Sequence, residues 1–339
     1  MSSTTTTTSP SHWPLRRRYV VIGLVVLIIV AAGVTLAWRL RGPGKATFIE
    51  YPMTVSSDIP AAVAIGPDGA VWFSIDFSNA VGVLRDGKIQ RFTKKGDNVD
   101  ALGIGVDAAG NAWYADGPAV AIQRISPTGE VASFPLGTPI ARLGRLAVGP
   151  DGAVWFAEST NYSITRLKDG VFTRNAINSV RGGPFGVAVA GDGTVWATLQ
   201  SANALMRISP SGEIAEYEVP TRGSAPSDVA VDVKGGVWFL EFRANKVGRY
   251  ADGKFVEFPA PEGVSALSGI TVAPDGSVWF GAMRGGLLGR LKDGKFRVFK
   301  LPREDARPFS VAADRQGNIW YADIRGFVGM LPADQAKAD

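Results

Sequence analysis

Cysteine is absent from the 339 residues, and histidine occurs once, at His12. The first absence removes disulfides, thiolate metal sites, iron–sulfur clusters and cysteine nucleophiles together. The second leaves every residue after position 12 without an imidazole base, so a serine triad has no partner for its hydroxyl. No HExxH pair, EF-hand loop, Walker loop or GxSxG elbow is present. Excess charge is also missing from most of the chain. The formal charge is +5, but residues 1–45 hold six basic residues and no acidic ones, which leaves 30 basic against 31 acidic residues in the remainder. A part so nearly neutral lacks the positive field that a phosphate backbone requires, and nucleic acid is excluded as a partner.

Long hydrophobic runs are equally scarce, with one exception. Tyr19 to Trp38 is a stretch of 20 residues without a charge, long enough as a helix to span roughly 30 Å of hydrocarbon. Arg16, Arg17 and Arg18 precede it, which by the positive-inside rule keeps the short tail cytoplasmic. The Ser/Thr/Pro-rich segment before them buries too little apolar surface to fold. The expected organisation is therefore a disordered cytoplasmic tail at 1–18, a single-pass membrane anchor at 19–38, a linker at 39–46, an extracytoplasmic domain at 47–332 and a C-terminal tail at 333–339.

What fills that domain is a repeat. Hydrophobic residues make up 46% of the chain and Gly occurs 41 times, which fits a large core with many tight turns. A turn ending in Gly, an apolar residue, Trp and usually an aromatic recur at Trp72, Trp113, Trp155, Trp196, Trp238, Trp279 and Trp320, spaced by 41 or 42 residues. This period matches a four-stranded propeller blade. A second turn, as at Asp252-Gly253, follows in six repeats and is missing from the last. The missing fourth strand stands at the start, where Phe48-Ile49-Glu50-Tyr51-Pro52 matches Phe255-Val256-Glu257-Phe258-Pro259. The expected fold is all-β, a seven-bladed β-propeller whose N-terminal strand closes the last blade and leaves no exposed edge. The repeated Trp residues belong between blades. The small residues at the middle of each innermost strand, such as Ala64, Gly105 and Ala147, are expected to face the central channel.

At Trp238-Phe239-Leu240-Glu241-Phe242-Arg243-Ala244-Asn245-Lys246-Val247-Gly248-Arg249, and at Gly149-Pro150-Asp151-Gly152-Ala153-Val154-Trp155-Phe156-Ala157-Glu158, the chain resembles the virginiamycin B lyase (streptogramin lyase) family. The likeness runs over residues 46–331. It implies a seven-bladed propeller that opens a cyclic depsipeptide by elimination at its ester link, with Mg²⁺ and a histidine base on the upper face. The absence of histidine from the propeller departs from that pattern. A carboxylate tuned upward by burial or by a like-charged neighbour would have to replace the base.

Propeller ligands sit where the innermost strands begin and the second strands end. Three residues after each Trp come Ile75, Asp116, Glu158, Leu199, Glu241, Ala282 and Asp323, four of them acidic. Five after it, the last three repeats carry Arg243, Arg284 and Arg325. At the start of the innermost strand most repeats have a small residue, but two have Arg145 and Asp228. Asp228 and Glu241 share a hairpin, so they form the candidate pair for a hard cation, Mg²⁺ or Ca²⁺. The alternative is that each acid caps its own loop. Phe77, Phe185, Phe242, Phe309 and Phe327 border the same face. Two functions remain open. One is a membrane-tethered module that binds a protein, peptide or cell-envelope polymer on this face. The other is a divergent Mg-dependent carbon–oxygen lyase with Glu158, Asp228 and Glu241 round a cation. The orientation is testable: protease added to intact cells should degrade the domain and spare the tail, and the reverse pattern overturns it.

Overall fold

The structure, a computed structural model, describes residues 46–93, 102–179 and 182–337. The tail, the anchor and nearly all of the linker expected before residue 46 lie outside the described residues. Among the described residues no helix is long and apolar enough to cross a membrane.

From residue 47 onward the chain forms seven sheets of four antiparallel strands. Six blades are continuous in sequence, at 59–93, 104–135, 143–176, 184–218, 226–259 and 265–300. The seventh takes three strands from 308–331 and its fourth from Ile49–Pro52. Ile49 pairs with Met330 and Pro52 with Phe327, which is the closure that the displaced strand predicts. In each blade the innermost strand runs from the upper face to the lower. The chain therefore enters the propeller on the lower face at Ile49 and leaves it there after Leu331. A short helix, Ala333–Lys337, then buries Ala336 against the lower face, where a tail was expected.

The tryptophans lie between blades. Trp72 packs with Ile104, Ala112, Tyr114 and Ile125 of the second blade, and Trp113 with Leu143, Leu146 and Phe156 of the third. Where an Asp precedes the turn, it fixes the indole: Trp113 Nε1 donates to Asp107 Oδ2 at 2.8 Å and Trp238 Nε1 to Asp232 Oδ2 at 3.0 Å.

The small residues of the innermost strands do more than face the channel. Ala64, Ala147 and Ala230 each join the apolar cluster shared with the following blade. A Cβ on Gly105 would stand 3.0 Å from Val148 Cγ2 of the third blade. Strands gathered round one axis approach so closely that only small residues fit on the side facing the next strand. The same crowding acts at the upper end, where a Cβ on Gly186 would meet Ser227 O at 2.8 Å.

Closure is reinforced by charge. Arg303, in the connection between the sixth and seventh blades, donates from Nε to Glu50 Oε2 at 3.1 Å and from Nη2 to Asp323 Oδ2 at 2.6 Å. Its guanidinium lies 3.7 Å from the Phe327 ring centroid. Tyr321 Oη donates to Glu50 Oε1 at 2.9 Å. One cation thus ties the N-terminal strand to the last hairpin. Arg303→Ala leaves two carboxylates, one of them fully buried, without their cation, and should cost about 3 kcal/mol in urea unfolding. Arg85→Ala, which removes an exposed pair with Asp68, should cost less than about 1 kcal/mol. Equal losses would show that the cluster does not hold the ring shut.

Candidate functional site

The upper face departs from its own repeat first at the channel mouth. In the third blade, Leu143 pairs with Glu158 and Leu146 with Phe156, so Gly144 and Arg145 form a bulge. In the fifth, Pro226 pairs with Glu241 and Val229 with Phe239, so Ser227 and Asp228 do the same. Bulges redirect side chains out of the pleat, and here they aim two charges at the axis. Arg145 is only 7% exposed. It reaches across the mouth to Asp228, Nη2 to Oδ2 at 3.6 Å, and donates to Leu102 O at 2.9 Å and Phe309 O at 3.4 Å. Its guanidinium also lies over the Phe309 ring at 5.2 Å. Asp228 accepts from the backbone of Val229 and Ile270. Burial pushes its carboxyl upward, against the pull of Arg145 and those two N–H groups. The expected crowding of the mouth is thus an ion pair that spans it and touches several blades.

Three of the four acids at the second-strand ends serve their own loops. Asp116 accepts from Ala119 N and from Gln123 Nε2. Glu158 accepts from Asn161 Nδ2, from Thr165 Oγ1 at 2.9 Å and from Arg174 Nε at 3.1 Å. Asp323 accepts from the backbone of Arg307 and Arg325, each at 2.9 Å, besides Arg303. Each is buried and held.

Glu241 is the exception. It is 0% exposed, and neither carboxylate oxygen receives a hydrogen bond among the described residues. The Ser224 hydroxyl donates to Asn203 Oδ1 at 3.0 Å. Lys246 Nζ, one loop further on, is bound to Glu257 Oε2 and Thr221 Oγ1, both at 2.7 Å. Burial, with the negative charge of Glu257 added, pushes the Glu241 carboxyl up to about 7, against the pull of Ser224 and Lys246. The repeat explains the orphan. Glu257 holds the place that Glu50 holds in the seventh blade, and Glu241 that of Asp323. There Arg303 follows Leu301-Pro302 and serves both acids; in the fifth blade Thr221 follows Val219-Pro220 and brings no charge.

The cation pair expected of Asp228 and Glu241 is not assembled. Asp228 engages a guanidinium and two backbone donors, whereas Glu241 is flanked by Glu257 and Lys246. A divalent ion at the mouth would meet Arg145, so these residues do not fit Mg²⁺ or Ca²⁺ there. Among the described residues no three His, Asp or Glu side chains gather as a metal site. Arg243, Arg284 and Arg325 are exposed at equivalent repeat positions, Arg243 and Arg325 in loops and Arg284 at the end of its strand, paired with Ser265. Asn203 and Asn245 take the left-handed turn conformation, but Asn79 does not; in that shorter loop Phe77 takes it instead, at φ 53°. Lys246, Glu257 and Arg303 escape a reading based on departures from the repeat, although the match of Glu50 to Glu257 was visible in sequence.

Seven four-stranded blades closed into a ring define the seven-bladed β-propeller class. The chain belongs to the virginiamycin B lyase family, whose pattern matches residues 39–143 and 87–336. Virginiamycin B lyase of Nocardia farcinica is 32% identical over 190 residues, a segment covering 56% of this chain and 65% of that protein. A streptogramin B lyase structure superposes with a TM-score of 0.80 at 24% identity, over 84% of this chain and 96% of the other. A catalytically inactive His-to-Ala variant of virginiamycin B lyase from Staphylococcus aureus, with quinupristin, does so with the same score and identity, over 84% and 99%.

Glu241 holds its proton more tightly in the folded protein than at its ordinary value of 4.5. It stabilises the fold below that pH, and the contribution is lost as pH rises through about 7. Glu241→Gln should therefore melt several degrees above the parent at pH 8 and level with it near pH 4. An offset independent of pH contradicts the assignment.

Proposed function

We propose that this chain is a membrane-anchored, extracytoplasmic propeller that binds a ligand through its upper face. The observation that carries the proposal is the missing base. The inactive S. aureus variant has alanine in place of one histidine, and this propeller has no histidine for that role. Of the four acids at the second-strand ends three are held by donors and Glu241 is sealed from solvent, and Asp228 is paired with Arg145. Loss of a positioned proton-transfer group removes roughly 10²- to 10⁴-fold in rate. Binding keeps what remains: the ring, a mouth spanned by Arg145 and Asp228, and the exposed upper-face arginines Arg243, Arg284 and Arg325. The anchor at 19–38 rests on the apolar run and its flanking arginines. The chain enters the ring on the lower face, opposite the upper-face arginines.

One observation favours a second reading, a divergent lyase: the Glu241 carboxyl titrates near neutrality, as a general base should. The two separate in one assay. The full chain in non-ionic detergent is incubated with quinupristin and Mg²⁺, and the ring-opened isomer is sought by chromatography. The binding reading expects no turnover. Isomer formed by the parent and lost in Glu241→Gln establishes the lyase instead.

A further inference from the structure

We propose that the upper face docks an acidic polypeptide segment that also carries apolar side chains, its carboxylates taken by Arg243, Arg284 and Arg325 and its apolar groups by Phe77 and Phe242. The proposal rests on the binding reading and gives the ligand a chemical class.

The position five residues after the repeat tryptophan divides the face into two sectors. Blades one to four carry Phe77, Pro118, Thr160 and Ser201, and blades five to seven carry Arg243, Arg284 and Arg325. The three arginines are exposed. Arg145, Arg174 and Arg303 on the same side of the ring each hold a carboxylate of this chain. The side chains of Arg243, Arg284 and Arg325 form no ion pair or hydrogen bond among the described residues. Of the acids on this rim, Asp76 accepts from the Phe77 N–H and Asp305 is held by Arg303, Glu218 ends the outer strand of the fourth blade, and Glu262 and Glu304 lie in the connections between blades. Free guanidinium forks at one repeat spacing suit carboxylates that a flexible chain can bring to them in succession.

The aromatics decide which kind of anion is meant. Phe77 is 70% exposed and Phe242 45%. Phe77 also sits at φ 53°, a conformation that a bulky L-residue adopts only under constraint. Its own N–H donates to Asp76 Oδ1 at 3.0 Å, which holds the loop in that shape. The left-handed turn is shared with Val120, Tyr162, Asn203 and Asn245 in the same loop of other blades, so what sets Phe77 apart is the largely exposed ring that this turn holds out to solvent. Arginine and aromatic side chains together are the composition of protein-binding surfaces. A sugar–phosphate polymer would use the arginines and leave the rings uncovered.

The probe is a fluorescein-labelled glutamate–tyrosine copolymer, titrated by anisotropy against the full chain in non-ionic detergent. Binding should weaken as salt is raised and fall at least about tenfold in the triple variant Arg243→Gln, Arg284→Gln, Arg325→Gln. Phe77→Asn relieves the backbone strain, because asparagine tolerates the left-handed region. It should melt at or above the parent temperature and still bind at least about threefold more weakly, which separates lost contact from lost folding. No binding at low salt overturns the proposal, as does a triple variant that binds like the parent. Polyphosphate that competes as well as the copolymer, with Phe77→Asn unchanged, assigns the face to a phosphate polymer and also overturns it. These failures leave the binding reading standing, whereas quinupristin turnover overturns that reading itself.

Discussion

Seven innermost strands share one axis, and the space between them governs the rest of the molecule. Where neighbouring backbones lie about a side chain's first atom apart, glycine, alanine or serine is the only choice, as Gly103, Gly186 and Gly269 show. The constraint makes an exception informative. A long charged side chain can begin such a strand only if it is directed into the mouth and satisfied there, and the bulge that six blades share at this point does so for Arg145 and Asp228. Arg145 and Asp228 are complementary, so each offsets part of the cost of burying the other, although for Asp228 burial still prevails. The bridge spans the mouth from the third blade to the fifth.

The same logic of compensation runs through the outer part of each blade. The third blade answers Glu158 with Arg174, and the seventh answers Asp323 and Glu50 with Arg303. The fifth places two acids against one ammonium that is already engaged. Desolvation then acts on Glu241 with only the weaker pull of Ser224 and Lys246 against it, and a neutral carboxyl is the cheaper state. A single threonine where the equivalent connection has arginine is enough to produce this difference.

The period of 41 or 42 residues, the turn glycines and the displaced fourth strand made the blade number, strand count and closure legible before any coordinates. All three follow from local patterns repeated seven times. The channel-mouth residues were also legible, because Arg145 and Asp228 break a run of small residues. Their pairing was not: sequence proximity put Asp228 with Glu241, but a bulge turns Asp228 toward a residue two blades away. Asp116, Glu158 and Asp323 read as equivalent to Glu241. Their difference lies in donors drawn from other strands and connections, such as Arg174 and Arg303, whose reach depends on register and on loop shape. The expected membrane anchor stands apart, since its residues lie outside those described.

Closure by the N-terminal strand carries a consequence for how the ring is made. Ile49 and Met330, paired in the finished sheet, are separated by nearly the whole domain. On a ribosome the first strand synthesised is therefore the last to find its partner, and Ile49 to Pro52 must wait unpaired until the seventh blade emerges. Contacts of such long sequence separation are slow to form, and an unpaired strand edge can meanwhile pair with other chains. Glu50, a charge at the centre of that waiting strand, disfavours wrong pairings until Arg303 and Tyr321 are available to receive it. The residue that locks the ring is thus also suited to keeping its seam open during synthesis.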